Sequence, residues 1–200
     1  MTSKFFIRAA AVGALTLASA LGAAQAATLA ANGSWTEFLV NVDQAPAYSL
    51  DWLVGFDDAS PAHFSFTIAN GFVGSLTVLD TGISGDRFIV QNKGATLGET
   101  SVGVDGDPML EGSSVTDFDL ALAKPAFSRG VFTLEAGSYD ISGYLSRSVL
   151  LDGNPMNVTT GGIALTVAEV SPVPEPATLL SLLAGLSLIA MRRRNAGQQQ

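Results

Sequence analysis

The sequence predicts an all-β chain, folded as an antiparallel two-sheet sandwich of jelly-roll-like type. Short runs rich in β-branched and aromatic residues recur through the middle of the chain, and several alternate apolar with polar positions. Gly, Asn, Asp and Pro clusters separate these runs at short intervals. No helical spacing is sustained over a long window between Ala27 and Ser171. About ten short strands punctuated in this way suit a sandwich, and roughly 145 residues suffice to bury its core without disulfides.

In chain order, the expected strands begin with Thr36–Val42, Ser49–Phe56 and His63–Ile68. In the third, Phe64, Phe66 and Ile68 alternate with Ser65 and Thr67, the period of a half-buried strand. Leu76, Val78 and Asp80 alternate less cleanly with Thr77 and Leu79. Phe88 and Val90 lead into Asn92-Lys93-Gly94, a hairpin turn in which glycine supplies positive φ, and Thr96–Val102 returns as the partner. Val131–Leu134, Tyr139–Leu145, Val149–Leu151 and Ile163–Ala168 follow. Ala136-Gly137, Asp152-Gly153-Asn154-Pro155 and Gly161-Gly162 read as turns between them.

Both ends read as targeting segments around a domain at 27–171. Met1–Ala26 has a basic start at Lys4 and Arg8, a small-residue apolar stretch from Ala9 to Leu21, and Ala24-Gln25-Ala26 before Ala27. That is the pattern of a secretory signal peptide, with cleavage expected between Ala26 and Ala27. A retained N-terminal helix is the alternative. No cysteine follows the apolar stretch, so a lipoprotein signal is excluded.

At the other end, a proline-rich linker at 172–176 contains Pro174-Glu175-Pro176. An uncharged run, Ala177–Met191, follows and would make a helix apolar on every face, suited to lipid. Its 15 residues span only about 22 Å as a helix, short of a bilayer core of about 30 Å. Snorkelling arginines and local thinning close such a gap, and a pause in the membrane suits the run better than permanent residence. Arg192, Arg193 and Arg194 then mark the cytoplasmic side, with a polar tail to Gln200.

This tail resembles the PEP-CTERM sorting signal of exopolysaccharide-producing bacteria. The likeness rests on Pro174, Glu175 and Pro176, the short apolar helix, and Arg192–Arg194, in that order. The resemblance implies recognition by an exosortase after passage through the secretion translocon. It further implies a final place in the cell envelope or the extracellular polysaccharide matrix, in association with biofilm. The tail lacks the Leu-Pro-any-Thr-Gly pattern of the sortase route, which favours a Gram-negative envelope. A plain single-span anchor is the competing reading. A second, looser likeness runs through Leu76, Val78, Asp80, Gly85-Asp86, Phe88, Val90, Asn92, Gly94, Gly98 and Thr100-Ser101, then Phe132-Thr133-Leu134, Gly137, Tyr139 and Ile141. It is similar to small β-domains found ahead of such tails.

Charge and residue counts narrow the chemistry. From Ala27 to Pro172, 17 acidic residues against 5 basic ones leave twelve net negative charges. Such a surface repels nucleic-acid phosphates and keeps an exported protein soluble. The chain has no cysteine and one histidine, His63, so zinc sites built from those residues are excluded. His63 has no Gly-any-Ser-any-Gly partner and reads as a strand edge. Asp57-Asp58, Asp105 with Asp107, and Asp117 with Asp119 are the carboxylate pairs that glycoside hydrolysis would need. Solvated surface accounts for them more simply, so a non-enzymatic protein is expected. Asp105-Gly106-Asp107, with Glu111 nearby, offers part of a calcium site at best. A carbohydrate-binding module would use exposed rings among Trp35, Tyr48, Trp52, Tyr139 and Tyr144. Asn157-Val158-Thr159 matches a glycosylation acceptor of little weight in a bacterium.

Overall fold

The computed structural model describes residues 26–55 and 58–170, together with positions 181 and 184. Ala24, Asp57, Pro174, Glu175, Pro176, Arg192, Arg193 and Arg194 lie outside these residues, as do most of the expected signal peptide and apolar run. Among the described residues, no helix is long and apolar enough to cross a membrane.

The chain is a sandwich of two large sheets. One has five strands: β1 (Ala26–Thr28), β5 (His63–Ile68), β10 (Gly137–Arg147), β7 (Arg87–Asn92) and β8 (Ala95–Glu99), in that spatial order. The other has six: β4 (Asp58–Pro61), β3 (Leu53–Gly55), β2 (Asn32–Asn41), β13 (Val158–Glu169), β6 (Phe72–Thr81) and β9 (Arg129–Leu134). A small ladder joins β11 (Leu150–Leu151) to β12 (Asn154–Pro155). The expected antiparallel pairing holds except at one edge, where β1 runs parallel to β5 with Ala26 opposite His63.

Alternation fills the space between the sheets. Phe64, Phe66 and Ile68 meet Leu76, Val78, Ile163 and Leu165 in one apolar cluster. Trp52 lies stacked on Phe38, centroids 4.0 Å apart, with the edge of Phe88 against both. Such ring pairs add about 0.5–1.5 kcal/mol beyond their area burial.

Several boundaries correct the sequence reading. Gly161-Gly162 is not a turn but the middle of β13, paired with Phe38 and Glu37 on one side and with Asp80 and Leu79 on the other. A side chain on Gly161 would run into the Phe38 ring, and one on Gly162 would sit 2.6 Å from Phe118. The two glycines are therefore clearances for rings on opposite faces of the sheet. A short helix, α1 (Phe118–Ala123), lies where no helix was expected, with Asp117 at its start and Asp119 in its first turn. Asp117 caps it, accepting from the Leu120 amide at 2.8 Å, and Phe118, Ala121 and Leu122 cover Leu79 and Phe127 on the outer face of the six-stranded sheet. The strand expected at Thr96–Val102 stops at Glu99. The Ser101 amide then donates to the Arg129 carbonyl, so the chain leaves β7 and crosses to the other sheet.

Candidate functional site

Alternation along β6 turns Leu76 and Val78 into the core, and Asp80 is the next residue on that face. It is 0 % exposed. The 82–86 turn folds back over it, so that the Gly85 amide donates to Asp80 Oδ2 at 3.1 Å. The Asp86 and Ser128 amides also favour its charged form, yet Oδ1 has no hydrogen-bond partner. Burial, then the neighbouring Asp86 carboxylate, pushes the Asp80 carboxyl up from 3.8 to about 9.

Asp86 closes the same turn and is 1 % exposed. Its Oδ1 accepts from the Val149 amide at 2.8 Å, whereas Oδ2 is buried without a hydrogen-bond partner. Burial raises its pKa; the hydroxyls of Thr159 and Ser148 and the charge of Arg147 offset part of that rise. Asp86 lies at the wall of a cleft of about 230 Å³, shared with Gly82, Ser114, Thr116, Thr159 and Thr160.

The turn that carries these carboxyls is held from three sides. Gly82 exchanges both backbone hydrogen bonds with Val115, at 2.8 Å each. The Gly106 amide donates to the Ser84 carbonyl at 2.7 Å, and Ser84 Oγ donates to the Val104 carbonyl at 2.9 Å. Arg147 Nη1 donates to the Gly85 carbonyl at 2.6 Å and, with Nη2, grips both oxygens of Asp105. Gly85 has φ +125°, and a Cβ there would lie 2.6 Å from Asp105, so only glycine fits.

The residues singled out in the sequence are scattered. Asp105 is engaged by Arg147, which holds its carboxyl below the usual range. Asp107 accepts from the Met109 amide at 2.9 Å, and Glu111 is exposed. Asp119 accepts from Trp35 Nε1, and Trp35 stacks on Phe118. Asp58 lies on β4. His63 Nδ1 lies 3.1 Å from Asp140 Oδ1, beside a small polar cleft shared with Asp51, Gln91 and Ser142. Trp52 is buried, and Tyr139 stacks on Phe66 while donating to the Glu135 carbonyl. Tyr144 is half-buried on β10, and Tyr48 is 75 % exposed. Asn157 takes φ 56° just before β13. Asp80 and Asp86 escaped attention as chemistry, although the alternation of Leu76, Val78 and Asp80 was the signal that Asp80 faces inward.

No protein-family model matches the chain, and no curated protein matches it by sequence. Among solved structures it is similar to the pre-peptidase C-terminal domain of a collagenase from Bacillus anthracis. The TM-score is 0.35 at 10 % identity, over 71 % of this chain and 95 % of that one. A likeness at this level says nothing about function.

Proposed function

We propose that the chain is an exported, non-enzymatic jelly-roll-like domain with a cleaved N-terminal signal peptide and a C-terminal sorting helix. An exosortase would process the tail and leave the domain in the envelope or extracellular polysaccharide matrix of a Gram-negative bacterium. The observation that carries this reading is the tail itself: Pro174-Glu175-Pro176, the uncharged Ala177–Met191 run, then Arg192–Arg194. The basic cluster sets the end of the run on the cytoplasmic side and the motif outside.

The fold is compatible with processing at both ends. Sheet formation starts at Ala26, beside the expected cut before Ala27, and Leu29 is buried with its amide donating to the Ser65 carbonyl. At the other end β13 finishes at Glu169, and the Val170 amide donates to the Gly71 carbonyl, just ahead of the linker. The non-enzymatic reading draws support from the structural duties of the acids: Asp117 caps α1, Asp105 binds Arg147, and Asp140 faces His63. Surface carbohydrate binding would fall to Tyr48 rather than to the buried Trp52.

Replacing Pro174-Glu175-Pro176 with three alanines in a host that has its own exosortase tests the reading. The natural sequence is expected in the surface and matrix fraction, and the variant in the cytoplasmic membrane, arrested by its apolar run. Equal distribution of the two would overturn it.

A further inference from the structure

The five-stranded sheet changes partners along β10, and a cleft opens where it does. β10 pairs with β5 as far as Ile141 opposite Phe64. Beyond that point a different segment lies beside it. The Trp52 amide donates to the Gly143 carbonyl and the Leu145 amide to the Leu50 carbonyl, each at 2.9 Å, and Asp51 pairs with Tyr144. The cleft between the two partners has a volume of about 190 Å³. Trp52 and Gly143, both buried, form its floor; half-buried His63, Gln91 and Ser142 and exposed Asp51 stand around it.

One group in the floor is unfulfilled. Trp52 is 1 % exposed, yet its indole Nε1 has no hydrogen-bond partner among the described residues. A buried donor normally finds one. The N–H edge of the ring lies against the cleft floor, because a Cβ on Gly143 would be 2.5 Å from Trp52 Cε2, the carbon bonded to Nε1. Buried and stacked on Phe38, the indole offers a ligand its N–H rather than its face.

The walls set the chemistry. An indole N–H only donates and a carboxylate only accepts. A bare cation leaves the indole N–H unanswered. An anion is repelled by Asp51 and by Asp140, whose Oδ1 lies 3.1 Å from His63 Nδ1. With Nδ1–H on Asp140, His63 Nε2 is left to accept. Gln91 and Ser142 each donate and accept. A hydroxyl also does both, so an uncharged ligand with several hydroxyls answers every group. The volume equals that of about six waters. It is smaller than the ~300–1,000 Å³ of a drug-sized site, which suits one ring rather than a chain.

We propose that this cleft binds one pyranose ring of a neutral polysaccharide, entering end-on as a terminal or branch unit. Its hydroxyls accept from Trp52 Nε1 and donate to Asp51 and His63, and Gln91 and Ser142 complete the contacts. The site lies on the folded domain, so it stands or falls independently of the processing of the tail.

The test follows the indole N–H resonances of the full chain by NMR, in a mild detergent without a sugar headgroup. There are two, from Trp35 and Trp52, and Trp35→Phe assigns them. The chain is titrated with the methyl glycosides of glucose, galactose, mannose and N-acetylglucosamine. At least one is expected to move the Trp52 signal downfield and saturably, with a Kd of about 0.1–10 mM, the range for so small a ligand. The Trp35 signal is expected to stay. Gln91→Ala and Ser142→Ala are each expected to weaken this binding about three- to tenfold. The methyl glycoside of glucuronic acid is expected to bind at least about threefold more weakly than the best neutral glycoside, because of Asp51. Glycerol is expected to leave the Trp52 signal in place. Absence of a saturable Trp52 shift with every neutral glycoside overturns the proposal. So does a shift that neither Gln91→Ala nor Ser142→Ala weakens, or an equal response to the glucuronide or to glycerol.

Discussion

The Gly85 amide donates to Asp80 Oδ2 at 3.1 Å, so a carboxyl with no exposure to water pins the turn that follows its own strand. Asp80 follows Leu76 and Val78 on the inward face, and the strand ends that apolar face on an acid.

A pH dependence of stability follows from that placement. The Asp80 carboxyl is pushed up from 3.8 to about 9, chiefly by burial. Below pH 4 it is neutral in the folded and unfolded chain alike. Between pH 4 and 9 only the unfolded carboxyl ionises, so stability is lost as pH rises, at no more than about 1.4 kcal/mol per pH unit from one group. Urea midpoints in EDTA should therefore fall from pH 5 to pH 9, and Asp80→Asn should flatten the slope. A natural protein whose midpoint rises over this range would contradict the assignment.

Close ring packing against glycine gives a second expectation. A Cβ on Gly143 would lie 2.5 Å from Trp52 Cε2 and 2.6 Å from the Ile89 carbonyl oxygen. Gly143→Ala should destabilise the domain by about 1–3 kcal/mol, the usual cost of overpacking a core. Gly55→Ala is the control, because nothing lies within 4 Å of a Cβ there. Equal urea midpoints for the two variants would show that the Trp52 contact is not tight.

How much of this was legible depended on whether the signal was local. The two-sheet sandwich followed from alternation and turn chemistry, and Lys93 and Gly94 take φ 51° and 80° in a two-residue hairpin. Gly161-Gly162 misled because a glycine pair reads alike at a turn and beneath rings brought from Phe38 and Phe118 by tertiary packing. The helix α1 was too short to show a period, though Asp117 before Phe118 and Pro125 beyond Ala123 bracketed it. The carboxyl pair was half legible. The pattern placed Asp80 inward, but nothing in the sequence brought Asp86 to the same turn or paired Arg147 with Asp105.

That last pair is accessible enough to be weak. Arg147 and Asp105 side chains are 40 % and 45 % exposed. Their coupling in a double-mutant cycle of Arg147→Ala and Asp105→Ala should be about 0.5–1 kcal/mol and should shrink in high salt. A salt-insensitive coupling would mean that water does not reach the pair.

The cap of α1 should cost more than its size suggests. Asp117→Ala removes the acceptor for the Leu120 amide and should destabilise the domain by about 1 kcal/mol. Hydrogen exchange should quicken first at the Leu120 amide, which loses its acceptor. Unchanged exchange there would place the helix under the control of the Trp35–Phe118 stack instead.

The sorting account is tested most directly by the intact mass of the mature protein from a strain with its own exosortase and from one lacking the enzyme. The account predicts a chain beginning at Ala27 in both, with Ala177–Gln200 missing only where the exosortase is present. An intact C-terminus in both strains would contradict it and leave the tail a plain membrane anchor.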